Sequence, residues 1–335
     1  MNLASARDKL DHVIQLSRVE MYKPIQIAET LREFSLNESI NPGKLETYRN
    51  LSRDLRNRVT LELIGKVSTS SMRFQDDLWN ASAMPPEALT ALASANSNHR
   101  VEEYIYQHVY AKSSQMIEIR KVLDDVKTLS DVENIFALFN SPGLRSSADR
   151  LFEVFALSVL QTQIEKSDFT FSLKGNSTSI SGVTGKKLIS IAEGQGNDLE
   201  LAKMGHTNAA DAGLDIWTNF GVVVSVKNYN LDEDLFIKVL SDTPVGLLVV
   251  ICETVAKNVE RDLLKLSNSR PVVLITRKEL FEDAGRLLNH ADHSLVFVNK
   301  LISFYDKEFP LTVTLENFMK KRNYKISPPG SPSWV

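Results

Sequence analysis

The apolar positions of this chain recur with two different periods, and the change between them divides it. From the N-terminus to about residue 140 the spacing is helical. Leu10, Val13, Ile14 and Leu16 fall on one stripe, as do Ile25, Ile27, Ala28 and Leu31. Pro24 suits a first helical turn, where its missing N–H costs nothing. Asn41-Pro42-Gly43 breaks the pattern. Leu45, Tyr48, Leu51, Leu55, Val59 and Leu63 then predict a helix from about Lys44 to Lys66, with Arg49, Arg53 and Arg56 on its opposite face. An alanine-rich helix follows Pro85-Pro86, and another helix spans Val101 to Val126. No tandem repeat is visible.

After Ser141-Pro142-Gly143 helices alternate with strands. Residues 147–165 are apolar nearly all round, which predicts a buried helix. Phe169 to Leu173 alternates as a strand, and Lys174 to Asp198, rich in Gly, Ser and Asn, reads as an exposed insertion or lid. Val222, Val223, Val224 and Val226 make a β-branched strand. Then come a helix (Asp232 to Leu240), a buried strand (Gly246 to Cys252), a helix (Val255 to Leu266), a strand (Val272 to Ile275) and a helix (Arg277 to Leu288). The expected fold is α/β: a mixed β-sheet core flanked by helices, preceded by an all-helical N-terminal domain. The expected domains are 1–142 and 143–325. Pro328, Pro329, Gly330 and Pro332 mark 326–335 as a flexible tail.

A length of 335 residues suits two domains, and 43% hydrophobic with 24% charged residues suits a soluble globular chain. A single cysteine, Cys252, excludes a disulfide framework and a cysteine-based metal site, and fits a reducing cytoplasm. The first residues are amphipathic and carry early acids, so no signal peptide is expected. No apolar run reaches about 18 residues, so no membrane span is expected. The net charge of −3 argues against a basic nucleic-acid coat protein. Charge is uneven, however. Between Lys44 and Arg73 seven basic residues face three acids, a local charge of +4. That segment is either a solvated helix face or a surface for a phosphate backbone. In the polar run Ser68 to Asp77, Ser70, Ser71, Arg73 and Gln75 offer groups that suit phosphate oxygens and base edges, as well as a helix cap and loop.

The stretch with the sharpest chemistry is Gly213-Leu214-Asp215-Ile216 through Ser225-Val226-Lys227. Asn219-Phe220-Gly221 is turn chemistry between two β-rich runs, so an antiparallel hairpin brings Asp215 and Lys227 side by side. A carboxylate beside a lysine at a buried hairpin end suits metal-assisted phosphodiester hydrolysis. The carboxylate holds a hard cation such as Mg²⁺, and the ammonium positions or deprotonates water or meets charge on phosphate. Otherwise the two are a strand-end residue and a solvated strand terminus. Upstream, Glu153 lies on the Leu157, Leu160, Ile164 face of the buried helix. A carboxylate there needs a cation, either a metal or an arginine such as Arg150. His206, Asn208 and Asp211 lead into the hairpin. His206 and Asp211 suit a turn, and Asn208 is a candidate DNA contact.

This Gly-apolar-Asp-apolar, turn, strand, x-x-Lys pattern resembles the PD-(D/E)xK nuclease superfamily, with Ser225 where that pattern has Glu, Asp or Gln. The resemblance implies Asp215, Ser225 and Lys227 as the catalytic set. It also implies a glutamate near the metal on the leading helix, here Glu153, so that Asp215 and Glu153 are the metal ligands. More closely, the chain resembles the HaeII family of type II restriction endonucleases. Four segments carry this: Met21 to Glu29, Gly65 to Asp77, Pro85 to Glu87, and Thr207 to Gly221. That family has glutamine at Ser225 and arginine at Ala212. The resemblance implies Mg²⁺-dependent double-strand cleavage of a short palindromic GC-rich site, purine-GCGC-pyrimidine. It implies a nuclease domain at 143–325 and a DNA-recognition domain at 1–142, with Arg49, Arg53, Arg56, Ser70, Ser71, Arg73, Gln75 and Asn208 on double-stranded DNA. A palindromic site mirrors a homodimer, and a companion methyltransferase protects the same site. Two other readings stay open: a repair or recombination nuclease that reads DNA shape, and a non-catalytic DNA-binding protein on a degenerate nuclease fold, which Ser225 favours.

Overall fold

The computed structural model describes residues 1–37, 40–67, 78–141, 143–166, 201–203, 215–218, 222–243, 247–268, 271–309, 314–330 and 334. Helix α1 (Leu3–Leu16) starts where the Asn2 side chain accepts the Ser5 N–H at 2.8 Å. Helix α2 is Tyr22–Leu36. The helix expected over 44–66 begins instead as a 3₁₀ turn at Leu45–Thr47, and α3 runs Arg49–Ile64. It stops at Gly65, whose φ of 67° is the left-handed cap that glycine adopts without strain. Helix α4 (Pro86–Ala95) opens on a proline, and α5 is Arg100–Asp124. Helix α6 is Leu129–Phe139, and α7 is Ala148–Lys166.

Two compact units result. The first comprises Met1–Arg120, Leu138–Ser147 and Phe309–Val335. Its described elements are helices, including α13 (Leu315–Lys321). Leu315, Phe318 and Met319 of α13 join Leu10, Ile25, Leu89 and Tyr106 in one buried cluster. The helical unit is therefore discontinuous in sequence, not the simple 1–142 block that the change of periodicity suggests. The C-terminal segment belongs to it because its apolar residues fill that core. Trp334 is also buried there, edge-on to Tyr104 at 5.7 Å, so the expected flexible tail contributes a core side chain.

The second unit comprises Lys121–Ala137 and Ala148–Glu308. Strands β1 (Leu201–Lys203), β2 (Ile216–Thr218) and β3 (Val222–Lys227) pair antiparallel in sequence order. Helix α8 (Glu233–Asp242) is capped by Asp232, which accepts the Leu235 N–H at 2.9 Å. It leads to β4 (Leu247–Cys252), parallel to β3. Two short helices, α9 (Lys257–Arg261) and α10 (Leu263–Leu266), replace the single helix expected from 255 to 266. Strand β5 (Val272–Thr276) pairs parallel with β4. Helices α11 (Arg277–Leu288) and α12 (Ala291–Glu308) follow. The sheet order is β1-β2-β3-β4-β5, so it is mixed as expected. On one face, Leu248, Val250 and Cys252 of β4 cluster with Phe236 and Val239 of α8 and Val259 of α9. Helix α7 packs against β1, β3 and α12, and its apolar residues are buried all round. The strand expected at 169–173 and the insertion expected at 174–198 lie outside the described residues.

Candidate functional site

In the hairpin, β2 pairs with β3 through Ile216–Val224 and Trp217–Val223, and the Asp215 N–H donates to the Val224 carbonyl at 3.1 Å. One step further along the ladder the Asp215 carboxylate takes over. The Val226 N–H donates to its Oδ2 at 2.6 Å, a charge-assisted bond from the main chain. Lys227 Nζ donates to the same oxygen at 3.1 Å, and the Ser225 hydroxyl approaches it at 3.4 Å. Ser225 and Lys227 reach one carboxylate because the two-residue strand period puts them on one face. Register with β4 sets them opposite Val250 and Cys252. Ser225 is fully buried, whereas the Lys227 and Asp215 side chains keep 21% and 14% exposure. The pair is thus shielded but reachable. The convergence expected from the hairpin is met.

All three donors use Oδ2. Among the described residues Oδ1 takes no hydrogen bond. A carboxylate fixed by a main-chain N–H with its second oxygen uncommitted fits one position of a hard, oxygen-seeking cation. Ser225 adds no anion. Among the described residues no group of three or more His, Cys, Asp or Glu is placed to hold a metal by itself.

Lys227 ends β3 at the carboxyl end of the parallel strands, where open α/β sheets gather ligands. Three residues there escaped the sequence reading. The Asn228 side-chain amide donates to Asp149 Oδ1, in the first turn of α7, at 3.1 Å. The Tyr229 phenol is raised above its ordinary pKa, first by burial and then by the charge of Asp215. Glu253, just past β4, receives Arg277 at 3.0 Å, and that guanidinium lies over the Phe136 and Phe281 rings at 4.7 and 4.9 Å. Asp149 and Asn228 are 79 positions apart, so no local pattern signals their meeting.

Glu153 is buried on α7, one turn beyond Asp149. Arg150, the cation first considered for it, forms a buried ion pair with Glu308 at 3.2 Å. Cys252 is buried, and burial pushes its thiol up to about 12, so it stays protonated and inert.

The basic helix divides. Arg49 is exposed and Arg53 partly so, with Arg53 bonded to Asn50. Arg56 corrects the expectation, because it does not lie on the outer face. It is 5% exposed, its NH1 donates to Gln26 Oε1 at 3.1 Å, and its Nε and NH2 donate to Asn57 Oδ1. Burial lowers its pKa. Gln26 is also tied to Ser52, which accepts the Trp79 indole N–H at 3.1 Å. Arg56 therefore joins α2 to α3. Arg56→Ala is expected to lower unfolding free energy by about 1–3 kcal/mol, because the buried Gln26 acceptor loses its donor. Chemical denaturation measures it, and an unchanged midpoint would return Arg56 to the surface set. Ser70, Ser71, Arg73, Gln75 and Asn208 lie outside the described residues.

Comparison with known proteins places the whole chain. The family model described as HaeII restriction endonuclease matches residues 6–324. The chain is 32% identical over 345 aligned residues to the type II restriction enzyme HaeII of Haemophilus aegyptius, covering 95% of this chain and 96% of that one. It is 33% identical over 272 residues to the type II restriction enzyme NgoBI of Neisseria gonorrhoeae, covering 77% of each. No solved structure matches it. With a family match across nearly the whole length and this identity to curated members, the chain belongs to the HaeII restriction endonuclease family.

Proposed function

We propose that this protein is a type II restriction endonuclease making Mg²⁺-dependent double-strand cuts at a short palindromic GC-rich site, purine-GCGC-pyrimidine. The observation that carries the chemistry is the Asp215–Lys227 contact at 3.1 Å on the hairpin. The named activity of the two relatives supports the class of reaction. Asp215 would hold the metal as its first ligand, since its Oδ1 takes no hydrogen bond among the described residues. Glu153, on the helix that packs against β3, would be the second. When bound, Mg²⁺ supplies Lewis-acid charge beside the scissile phosphate. Lys227, its ammonium held by Asp215, donates to the attacking water or to a phosphate oxygen as charge develops. Ser225 and the Val226 N–H keep the Asp215 carboxylate turned. The protein acts as a cytoplasmic homodimer on a two-fold site, beside a methyltransferase that protects the same sequence.

Digesting a sequenced plasmid with and without Mg²⁺ tests this. Discrete fragments only with Mg²⁺, ending in the stated site, support it. Structure-dependent nicking would favour a repair nuclease. A second reading, a non-catalytic DNA binder, is favoured by Ser225, which is fully buried and adds no anion. Binding without turnover would establish that reading.

Arg49 and Arg53 are proposed to meet phosphates. Arg49→Ala or Arg53→Ala is expected to weaken binding across all sequences and to reduce the slope of log affinity against log salt by about 1 each. Fluorescence anisotropy over a salt series measures it. An unchanged slope in both returns this face of α3 to ordinary solvated surface.

A further inference from the structure

We propose that Asn228 is a positioning residue for the nuclease site, acting through its hydrogen bond to Asp149; this rests on the nuclease reading above. Asn228 directly follows Lys227, the last residue of β3. Its amide donates to Asp149 Oδ1 at 3.1 Å, and Asp149 belongs to the first turn of α7. Glu153 lies four positions on, the spacing that puts two helical side chains on one face. The bond therefore ties the backbone that follows Lys227 to the first turn of α7, one turn before Glu153. The next links run elsewhere. The Glu253 N–H donates to the Tyr229 carbonyl at 3.1 Å and the Leu231 N–H to the Thr254 carbonyl at 2.8 Å, which pins the chain after Asn228 to the end of β4. Among these contacts, Asn228–Asp149 is the one that reaches α7.

Such a bond near the surface contributes little to stability, yet a small displacement of a reacting group lowers rate steeply. The latch should therefore show in turnover and local opening more than in melting. The test uses full-length wild type, Asn228→Asp, and the double variant Asn228→Asp with Asp149→Asn. The single change sets two carboxylates against each other. The double change restores one bond with donor and acceptor exchanged. Because the double variant keeps the carboxylate introduced next to Lys227, recovery there cannot come from removing that charge.

Asn228→Asp is expected to lower kcat by about tenfold or more with KM nearly unchanged. It should also speed amide hydrogen exchange over 225–229 without DNA or metal, with the melting temperature little changed. The double variant is expected to regain most of both. A kcat within about twofold of wild type in Asn228→Asp, or a loss that the double variant does not relieve, overturns the proposal. If wild type itself never cleaves, the nuclease reading fails. The exchange arm then decides the latch alone: faster exchange restored in the double variant supports it, and unchanged exchange removes it.

Discussion

Asp215→Ala and Lys227→Ala are each expected to abolish Mg²⁺-dependent cleavage while leaving DNA affinity within a few-fold of wild type. Both side chains meet at one oxygen, so each removal acts on the same point. Without Asp215, the Lys227 ammonium and the Val226 N–H lose their common acceptor, and the proposed cation would lose one of its ligands. Without Lys227, the carboxylate keeps its main-chain donor but lacks the positive charge proposed to meet the phosphate. Each loss should cost about 3 kcal/mol or more of transition-state stabilisation, a rate loss on the order of 10²-fold or greater. Lys227→Arg keeps the charge but replaces a compact ammonium with a planar fork, and should recover little. Single-turnover cleavage with excess enzyme separates the chemical step from binding. Turnover near wild type in either alanine variant would take the hairpin out of the mechanism.

The largest expected stability effect lies in the helical unit. Arg322, just past α13, makes a bidentate pair with Glu29 of α2, its NH2 donating to Oε2 at 3.0 Å. Burial works against its charge, but Glu29 overcomes it and the guanidinium pKa rises. The Tyr106 hydroxyl donates to the same carboxylate, and Arg322 packs over the Phe318 ring at 4.1 Å. Glu29 is 5% exposed. Arg322→Ala strands that charge in the core, at an expected cost of about 3–5 kcal/mol. Arg322→Met with Glu29→Gln removes both charges and keeps most of the volume, so it should lose clearly less. Equilibrium denaturation of the three proteins reads this. Equal losses in single and double variants would mean that packing, not the buried charge, holds this end of the chain.

The mixed sheet and the meeting of Asp215 with Lys227 were legible in the residues, because both follow from short-range rules. The β-branched run Val222–Val226, the turn-forming composition of Asn219-Phe220-Gly221 and the two-residue strand period signal which side chains share a face. Sequence-local signals likewise placed α11 and the buried character of α7, since Arg277–Leu288 has its cap and apolar stripe within a few residues. What escaped were pairings between distant segments. Arg56 has the spacing of an outer-face residue, yet Gln26 and Asn57 draw it inward. The segment after Phe309 reads as part of the second domain up to residue 325 and as a loose tail beyond, yet Phe318, Tyr324 and Trp334 complete a core begun by α1 and α2. Asp149 has no local mark of importance until Asn228 reaches it. By itself, the sequence marked most of the helices, the strands Val222–Lys227, Leu247–Cys252 and Val272–Thr276, and the meeting of Asp215 with Lys227, because helix and strand periods act over a few residues. Only the tertiary structure decided which charges are buried, which unit the C-terminus joins and how β3 is tied to α7, because those depend on packing between segments up to hundreds of residues apart.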